Sequence, residues 1–148
     1  ISGETPKGAI FIKQARELGL KIPFIGGDGI DSSELWKIGG KAAEGVCVTS
    51  YFHHTDLRPE AQEFVKKYKE KYNDLPDVWA AQAYDAVYLI AEAVKKADSI
   101  DRNLVRDALS KIKDFPGVTG LTTFDEKGDV IGKKVIIKKV RQEQFVLF

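Results

Sequence analysis

The sequence has no methionine and one cysteine, Cys47, among its 148 residues. A lone cysteine excludes an internal disulfide, yet it does not settle the compartment, because large α/β proteins are often secreted without disulfides. Long apolar runs are missing too. The most hydrophobic stretch, residues 77–97, is interrupted by Asp77, Gln82, Asp85 and Glu92, so no membrane-spanning segment is expected. No signal-peptide pattern, internal repeat or low-complexity tract is visible. Charge of one sign is lacking as well. The 23 basic and 22 acidic residues leave a formal net charge of +1, and the lysines are spread rather than gathered into a stripe. Nucleic acid is therefore not an expected partner. Because the chain opens on Ile1 and holds no methionine, it reads as part of a longer gene product.

Residues for metal or nucleophilic chemistry are equally scarce. The histidines are His53 and His54, and neighbours on an extended segment point to opposite faces. With no further histidine and no Cys-His cluster, no metal site is expected. Cys47 is flanked by Val46 and Val48, which predicts a small buried hydrophobe and not a thiolate nucleophile. There is no Gly-x-Ser-x-Gly elbow. The residues supply no positive argument for an enzyme and imply no cofactor; a metal- or cysteine-dependent hydrolase using His53, His54 or Cys47 is the remote alternative.

What is present centres on Ile22-Pro23-Phe24-Ile25-Gly26-Gly27-Asp28-Gly29-Ile30. Phe24-Ile25 has the brevity of a buried strand, and the glycines end it. A helix is predicted before it, over Thr5 to Leu18, with Thr5 as hydroxyl N-cap, Pro6 at the first helical position, and Phe11, Ala15 and Leu18 inward. Gly19 supplies its left-handed cap. A second helix follows the turn, with Asp31 as N-cap and Glu34 three residues on. Helix, buried strand, glycine turn and helix form the local grammar of an open α/β sheet, in which ligands bind outside the carboxyl ends of the strands. The turn lacks the G-x-G-x-x-G spacing, and its carboxylate would repel phosphate. Asp28 suits an ammonium or a hydroxyl better; a plain turn or capping role remains open on these residues alone.

Further on, a strand over Val46 to Phe52 precedes an amphipathic helix from Arg58 to Tyr72, with Glu63 and Lys67 paired at i,i+4. Asp56 is expected to help cap that helix. Pro76 opens a long helix, Asp77 to Ala97, apolar nearly all round, with Trp79 in its first turn. That ring is either a staple for the helix start or a ligand wall. Trp36 is expected in the core. Asp101 caps another helix, a loop holds Pro116, Gly117 and Gly120, and the chain ends in two β-rich runs, Leu121 to Phe124 and Val130 to Phe148, the latter split near Arg141-Gln142-Glu143.

Five stretches in unbroken order carry a resemblance: Gln14-Ala15-Arg16-x-x-Gly19-Leu20-Lys21, Phe24-Ile25-Gly26-Gly27-Asp28-Gly29, Ala43-Glu44-Gly45-Val46-Cys47-Val48-Thr49, Ala83-Tyr84-Asp85-Ala86-Val87 and Phe124-Asp125-Glu126-Lys127-Gly128-Asp129. Together they resemble the C-terminal portion of the type I periplasmic ligand-binding proteins of ABC transporters, in the branched-chain amino acid (leucine/isoleucine/valine) family. The resemblance implies a two-lobe α/β fold with a β-rich C-terminus. Residues 1–49 would belong to the second lobe, 50–124 to the first, mainly as helices, and 125–148 to the second again. It implies a non-catalytic receptor that binds an amino acid or amide between the lobes and delivers it to a membrane permease, in a periplasmic or extracellular, optionally lipid-anchored, setting. An amide or amino-acid sensor of the same fold is the alternative. By position, Asp28 would hold the ligand's α-ammonium and Trp79 would pack on its side chain. Glu4, beside Thr5, would face the ligand where the family commonly has a tyrosine, which leaves room for a second donor on the ligand. Family members are more than twice this long, so a missing N-terminal portion of the same protein is an implied partner.

Overall fold

A computed structural model describes all 148 residues. In chain order the elements are α1 (Lys7–Glu17), β1 (Ile25–Gly26), α2 (Glu34–Gly39), β2 (Cys47–Ser50), α3 (Pro59–Tyr72), α4 (Val78–Ala97) and α5 (Arg102–Leu109). They are followed by β3 (Phe115–Gly117), β4 (Gly120–Phe124), β5 (Val130–Ile131), β6 (Ile136–Arg141) and β7 (Gln144–Leu147), and a short 3-10 turn, Asp28–Ile30, lies between β1 and α2. The chain divides into two compact units, Ile1–His53 with Val135–Phe148, and His54–Lys134.

The first unit is a four-stranded sheet in the order β1-β2-β6-β7, with α1 and α2 packed together beside it. Only β1 and β2 run parallel; β6 joins β2 antiparallel, and β7 returns along β6. The return is a two-residue turn in which Gln142 and Glu143 both take positive φ, 50° and 57°, the geometry that matches the twist of a hairpin. Glu44 accepts from the Gln142 amide at 3.0 Å and pairs with Arg141 at 3.2 Å, which holds that turn. The core gathers Ala9, Ile12, Phe24, Ile30, Leu35, Val46, Val48 and Val140.

Helix α1 buries Gly8, Ala9, Ile12 and Ala15; of the expected face Phe11-Ala15-Leu18, Ala15 is inward as expected and Phe11 and Leu18 are exposed. Leu18 is the C-cap, beyond the last turn that rests on the sheet, and is 82% exposed. Thr5 does not cap the helix, since Pro6 occupies the N-cap position and the Thr5 hydroxyl donates instead to the Gly29 carbonyl at 3.3 Å. Gly19 does act as expected, at φ 86°, with the Leu20 amide reaching back to the Ala15 carbonyl at 3.0 Å. Of the apolar pair Phe24-Ile25, Phe24 is buried and Ile25 exposed, because β1 is a two-residue edge strand with one face on the core. Asp31 is no helix cap: α2 starts at Glu34, whose amide is met by the Ser32 hydroxyl at 3.2 Å. Trp36 is half-buried, its ring edge-on to Phe145 at 5.1 Å. Cys47 is half-buried rather than enclosed, since strand alternation puts its neighbours Val46 and Val48 in the core.

The second unit holds α3, α4, α5 and a three-stranded antiparallel sheet ordered β3-β4-β5. Asp77 caps α4 through the Ala80 amide at 2.8 Å, and Asp101 caps α5 through the Asn103 and Leu104 amides at 2.9 and 3.2 Å. The Glu63–Lys67 pair forms on α3 at 2.6 Å. Along α4, Val78, Ala81, Asp85, Leu89 and Ala93 are buried, while Val87, Tyr88 and Ile90 are exposed. The segment expected as a loop around Pro116 contains β3, which makes a tight hairpin with β4 in the register Gly117↔Gly120.

That hairpin leaves Val118 and Thr119 as its two loop residues, and both are buried. Buried backbone polar groups must find partners, and here two side chains provide them. Asp85 accepts from the Val118 amide at 2.7 Å and from the Thr119 amide and hydroxyl at 2.9 and 2.5 Å. Arg58 donates to the Gly117 and Val118 carbonyls at 3.1 and 2.8 Å. Asp56 grips Arg58 through Nε and Nη2, the shortest contact being 2.7 Å, so its expected capping role is a brace for Arg58 as α3 begins. The guanidinium holds the Asp56 carboxyl below its ordinary pKa, against the desolvation that acts to raise it.

Candidate functional site

The site is built on the turn that closes β1. Gly27 is extended, at φ −75° and ψ −179°, and Asp28–Gly29–Ile30 then coil into a single 3-10 turn. Ile30 drives this turn into the core, where it is fully buried, and Gly26 makes room for it: a Cβ there would lie 2.8 Å from Ile30 Cγ1. Full burial of one isoleucine is worth about 2–3 kcal/mol, so the turn is anchored from beneath and Asp28 is left half-buried at its head.

Gly29 joins this turn to the N-terminal segment. Its carbonyl accepts the Thr5 amide at 3.0 Å and the Thr5 hydroxyl at 3.3 Å. The backbones approach so closely that a Cβ on Gly29 would collide with the Gly3 carbonyl oxygen and stand 3.8 Å from Glu4 Cα. This is the close approach that a glycine permits. Glu4, Thr5 and Asp28 therefore occupy one rim of the first unit, with Glu4 exposed and Thr5 half-buried. Two carboxylates and a hydroxyl on one rim make it acceptor-rich, suited to a ligand that brings ammonium or other donor groups.

Trp79 belongs to the second unit. It stands in the first turn of α4, 46% exposed, with the Asp77 cap just ahead of it. The residues from the catalytic alternative go elsewhere. His53 is buried, with Nε2 3.0 Å from the Phe145 carbonyl oxygen. Burial lowers its pKa below 6.5, the Lys138 charge adds to that, and the bond to Phe145 works against it. The His54 carbonyl receives the Gln62 amide at 3.3 Å. No group of three or more His, Cys, Asp or Glu residues is arranged to hold a metal ion.

Two features escaped sequence reasoning. One is the clasp of Asp85 and Arg58 on the Val118-Thr119 loop; its partners are about sixty and thirty-three residues away along the chain, as the Arg58–Val118 and Asp85–Val118 bonds record. The other is the buried pair Asp31–Lys138, at 2.6 Å. Its one available signal is the pair Lys138-Lys139 within the run Val135-Ile136-Ile137-Lys138-Lys139-Val140, where strand alternation turns one of the two lysines inward and a buried charge needs a partner.

The family model described as "Periplasmic binding protein" matches residues 2–143. The chain belongs to that family. It is 36% identical over 127 residues to the Leu/Ile/Val-binding protein homolog 1 of Brucella suis biovar 1 (strain 1330), a match that covers 86% of this chain and 34% of that relative. Among solved structures, the leucine binding protein LivK of Thermotoga maritima superposes with a TM-score of 0.93 at 36% identity, over 100% of this chain and 42% of that one. The branched-chain amino acid transporter substrate binding protein LivJ of Streptococcus pneumoniae, solved with isoleucine, gives a TM-score of 0.87 at 32% identity over 97% and 41% of the two chains. The fold is thus the α/β fold of the type I periplasmic binding proteins, and the chain spans about a third of the length of the curated relative and about two-fifths of the solved ones.

Proposed function

We propose that this chain is the C-terminal part of the solute-binding receptor of an ABC importer, and that the receptor takes up an amino acid of branched-chain or similar apolar type. The observation that carries this reading is the half-buried Asp28, presented on a turn that Ile30 and the Gly29–Thr5 bonds hold rigid. A preorganised carboxylate of this kind binds an ammonium without first being ordered, which is where such a site gains its affinity. Asp28 pairs with the α-ammonium, Trp79 lies along the apolar side chain, and Thr5 and Glu4 supply further acceptors. The unit Ile1–His53 with Val135–Phe148 belongs to one lobe and the unit His54–Lys134 to the other, so the lobe boundaries lie later along the chain than the expected 49/50 and 124/125. The rest of the grip on the ligand comes from an N-terminal portion of the same protein. The role is binding and delivery to a membrane permease, outside the cytoplasmic membrane, with no chemical conversion of the solute.

The test is a thermal-shift series on the complete protein with leucine, isoleucine, valine and their amides, run on the wild type and on Asp28→Asn and Trp79→Ala. A ligand present at a hundred times its Kd stabilises the native state by about 2.7 kcal/mol. Apolar amino acids should raise the wild-type melting point, and Asp28→Asn should remove most of that shift. No shift with any amino acid, or one that survives Asp28→Asn unchanged, overturns the proposal.

A further inference from the structure

We propose that the buried ion pair Asp31–Lys138 is a positioning device for the Asp28 carboxylate, and that it sets how strongly the receptor prefers ligands with an ammonium group. The inference rests on the reading of Asp28 given above. Lys138 Nζ lies 2.6 Å from Asp31 Oδ1, and the two side chains are 4% and 1% exposed. Ile30, the residue before Asp31, and Val48, opposite Lys138 on β2, are both buried, and the Phe145 ring centroid is 4.7 Å from the ammonium. Bringing two charges into such a setting costs roughly what their attraction returns, and a well-packed apolar pair would serve stability as well or better. What an ion pair provides and an apolar contact does not is a fixed length and direction between two chosen atoms.

Those atoms connect the turn to a central strand of the sheet. Lys138 is on β6, a central strand, opposite Val48 of β2 on one side and Leu147 of β7 on the other. Asp31 ends the 3-10 turn that begins at Asp28, and its amide donates to the Asp28 carbonyl at 2.9 Å. The turn therefore has three anchors: Ile30 in the core, the Gly29 carbonyl on Thr5, and the Asp31 carboxylate on Lys138. Ile30 is held by apolar packing and the Gly29 bonds lead to the N-terminal segment; of the three, the ionic anchor alone ties the far end of the turn to β6 through a bond of fixed direction. His53, also near Lys138, has its pKa lowered by burial and by that charge, and so brings no competing cation at neutral pH.

The experiment compares, in the complete protein, the affinity for leucine with that for 4-methylpentanoate, which has the same hydrocarbon chain and no ammonium. Because only the ratio is read, a smaller folded fraction lowers both affinities alike and cancels. The double variant Asp31→Asn/Lys138→Met leaves no unpaired buried charge. It should lose roughly tenfold in the ratio, about the worth of one well-placed hydrogen bond to a charged group. Should that variant fail to fold, the apolar pair Asp31→Leu/Lys138→Met, which also leaves no buried charge, carries the same readout. A folded variant that keeps the wild-type ratio overturns the inference and leaves the pair a packing feature. Asp28→Asn is measured alongside: if it too leaves the ratio unchanged, the reading of Asp28 itself has failed.

Discussion

Replacing Asp85 by asparagine removes one acceptor from a buried loop while preserving side-chain size. In the native chain Oδ1 takes the Val118 amide at 2.7 Å, and Oδ2 takes the Thr119 amide and hydroxyl at 2.9 and 2.5 Å. An asparagine has one carbonyl oxygen, so one side of the clasp must present N–H₂ to an N–H. The less costly orientation keeps the oxygen on Thr119 and leaves the buried Val118 amide facing a donor. A hydrogen bond to a charged group contributes about 1.5–3 kcal/mol, and an unsatisfied buried donor costs about 1–3 kcal/mol. Since the two figures overlap in what they count, the expected loss is roughly 2–4 kcal/mol. At about 2–4 °C per kcal/mol for a chain of this size, the melting point should fall by roughly 5–15 °C. The assay is urea unfolding followed by tryptophan fluorescence. The chain has two tryptophans, Trp79 in the same unit as Asp85 and Trp36 in the other unit, so Trp36→Phe isolates the relevant signal. Gly117→Ala is the companion: its Cβ would sit 2.5, 2.7 and 2.9 Å from the three carboxylate atoms of Asp85, and it should destabilise comparably. An Asp85→Asn midpoint within about 0.5 kcal/mol of wild type, the range of an inconsequential surface change, refutes the account of the loop.

Two further perturbations separate the local arguments. Gly29→Ala should destabilise by about 1–3 kcal/mol, because its Cβ meets the Gly3 carbonyl; Gly27→Ala, two residues away in open space, should cost far less. Equal urea midpoints for the two would remove the close approach as the reason for glycine at 29. His53 should make stability fall on the acid side. Its folded-state pKa lies below 6.5, so the unfolded chain takes up the proton first. The contribution is complete above pH 6.5 and is lost as pH drops from there toward the lowered value. Melting points of wild type and His53→Gln between pH 5 and 8 should show a steeper acid-side decline in the wild type, and parallel curves would refute the buried neutral imidazole.

Local chemistry was legible in the sequence wherever the cause lay within a few residues. Asp101 caps its helix, Gly19 ends α1 in the left-handed conformation, and Gln142-Glu143 turns the last hairpin; Asp77, by contrast, caps α4 where the sequence predicts its first residue. The glycine turn that carries Asp28 was also readable, since a short apolar run stopped by glycines has few other uses. Where the expectation depended on which face meets the core, it was less secure. Thr5 and Asp31 both look like caps, as short polar residues before a helix usually do. Thr5 instead binds Gly29, and Asp31 turns inward to Lys138.

The sequence by itself determined the main helices, the Asp101 and Gly19 caps, the family and the turn that presents Asp28, because helix periodicity, capping and glycine punctuation act over neighbouring residues. Only the tertiary structure decided that Glu4 and Thr5 share a rim with Asp28, that Asp31 is paired with Lys138, and that Asp85 and Arg58 complete a buried hairpin loop. Those partners lie far apart along the chain. What joins them is the requirement that buried charges and backbone groups be satisfied, and that requirement has no fixed spacing in a sequence.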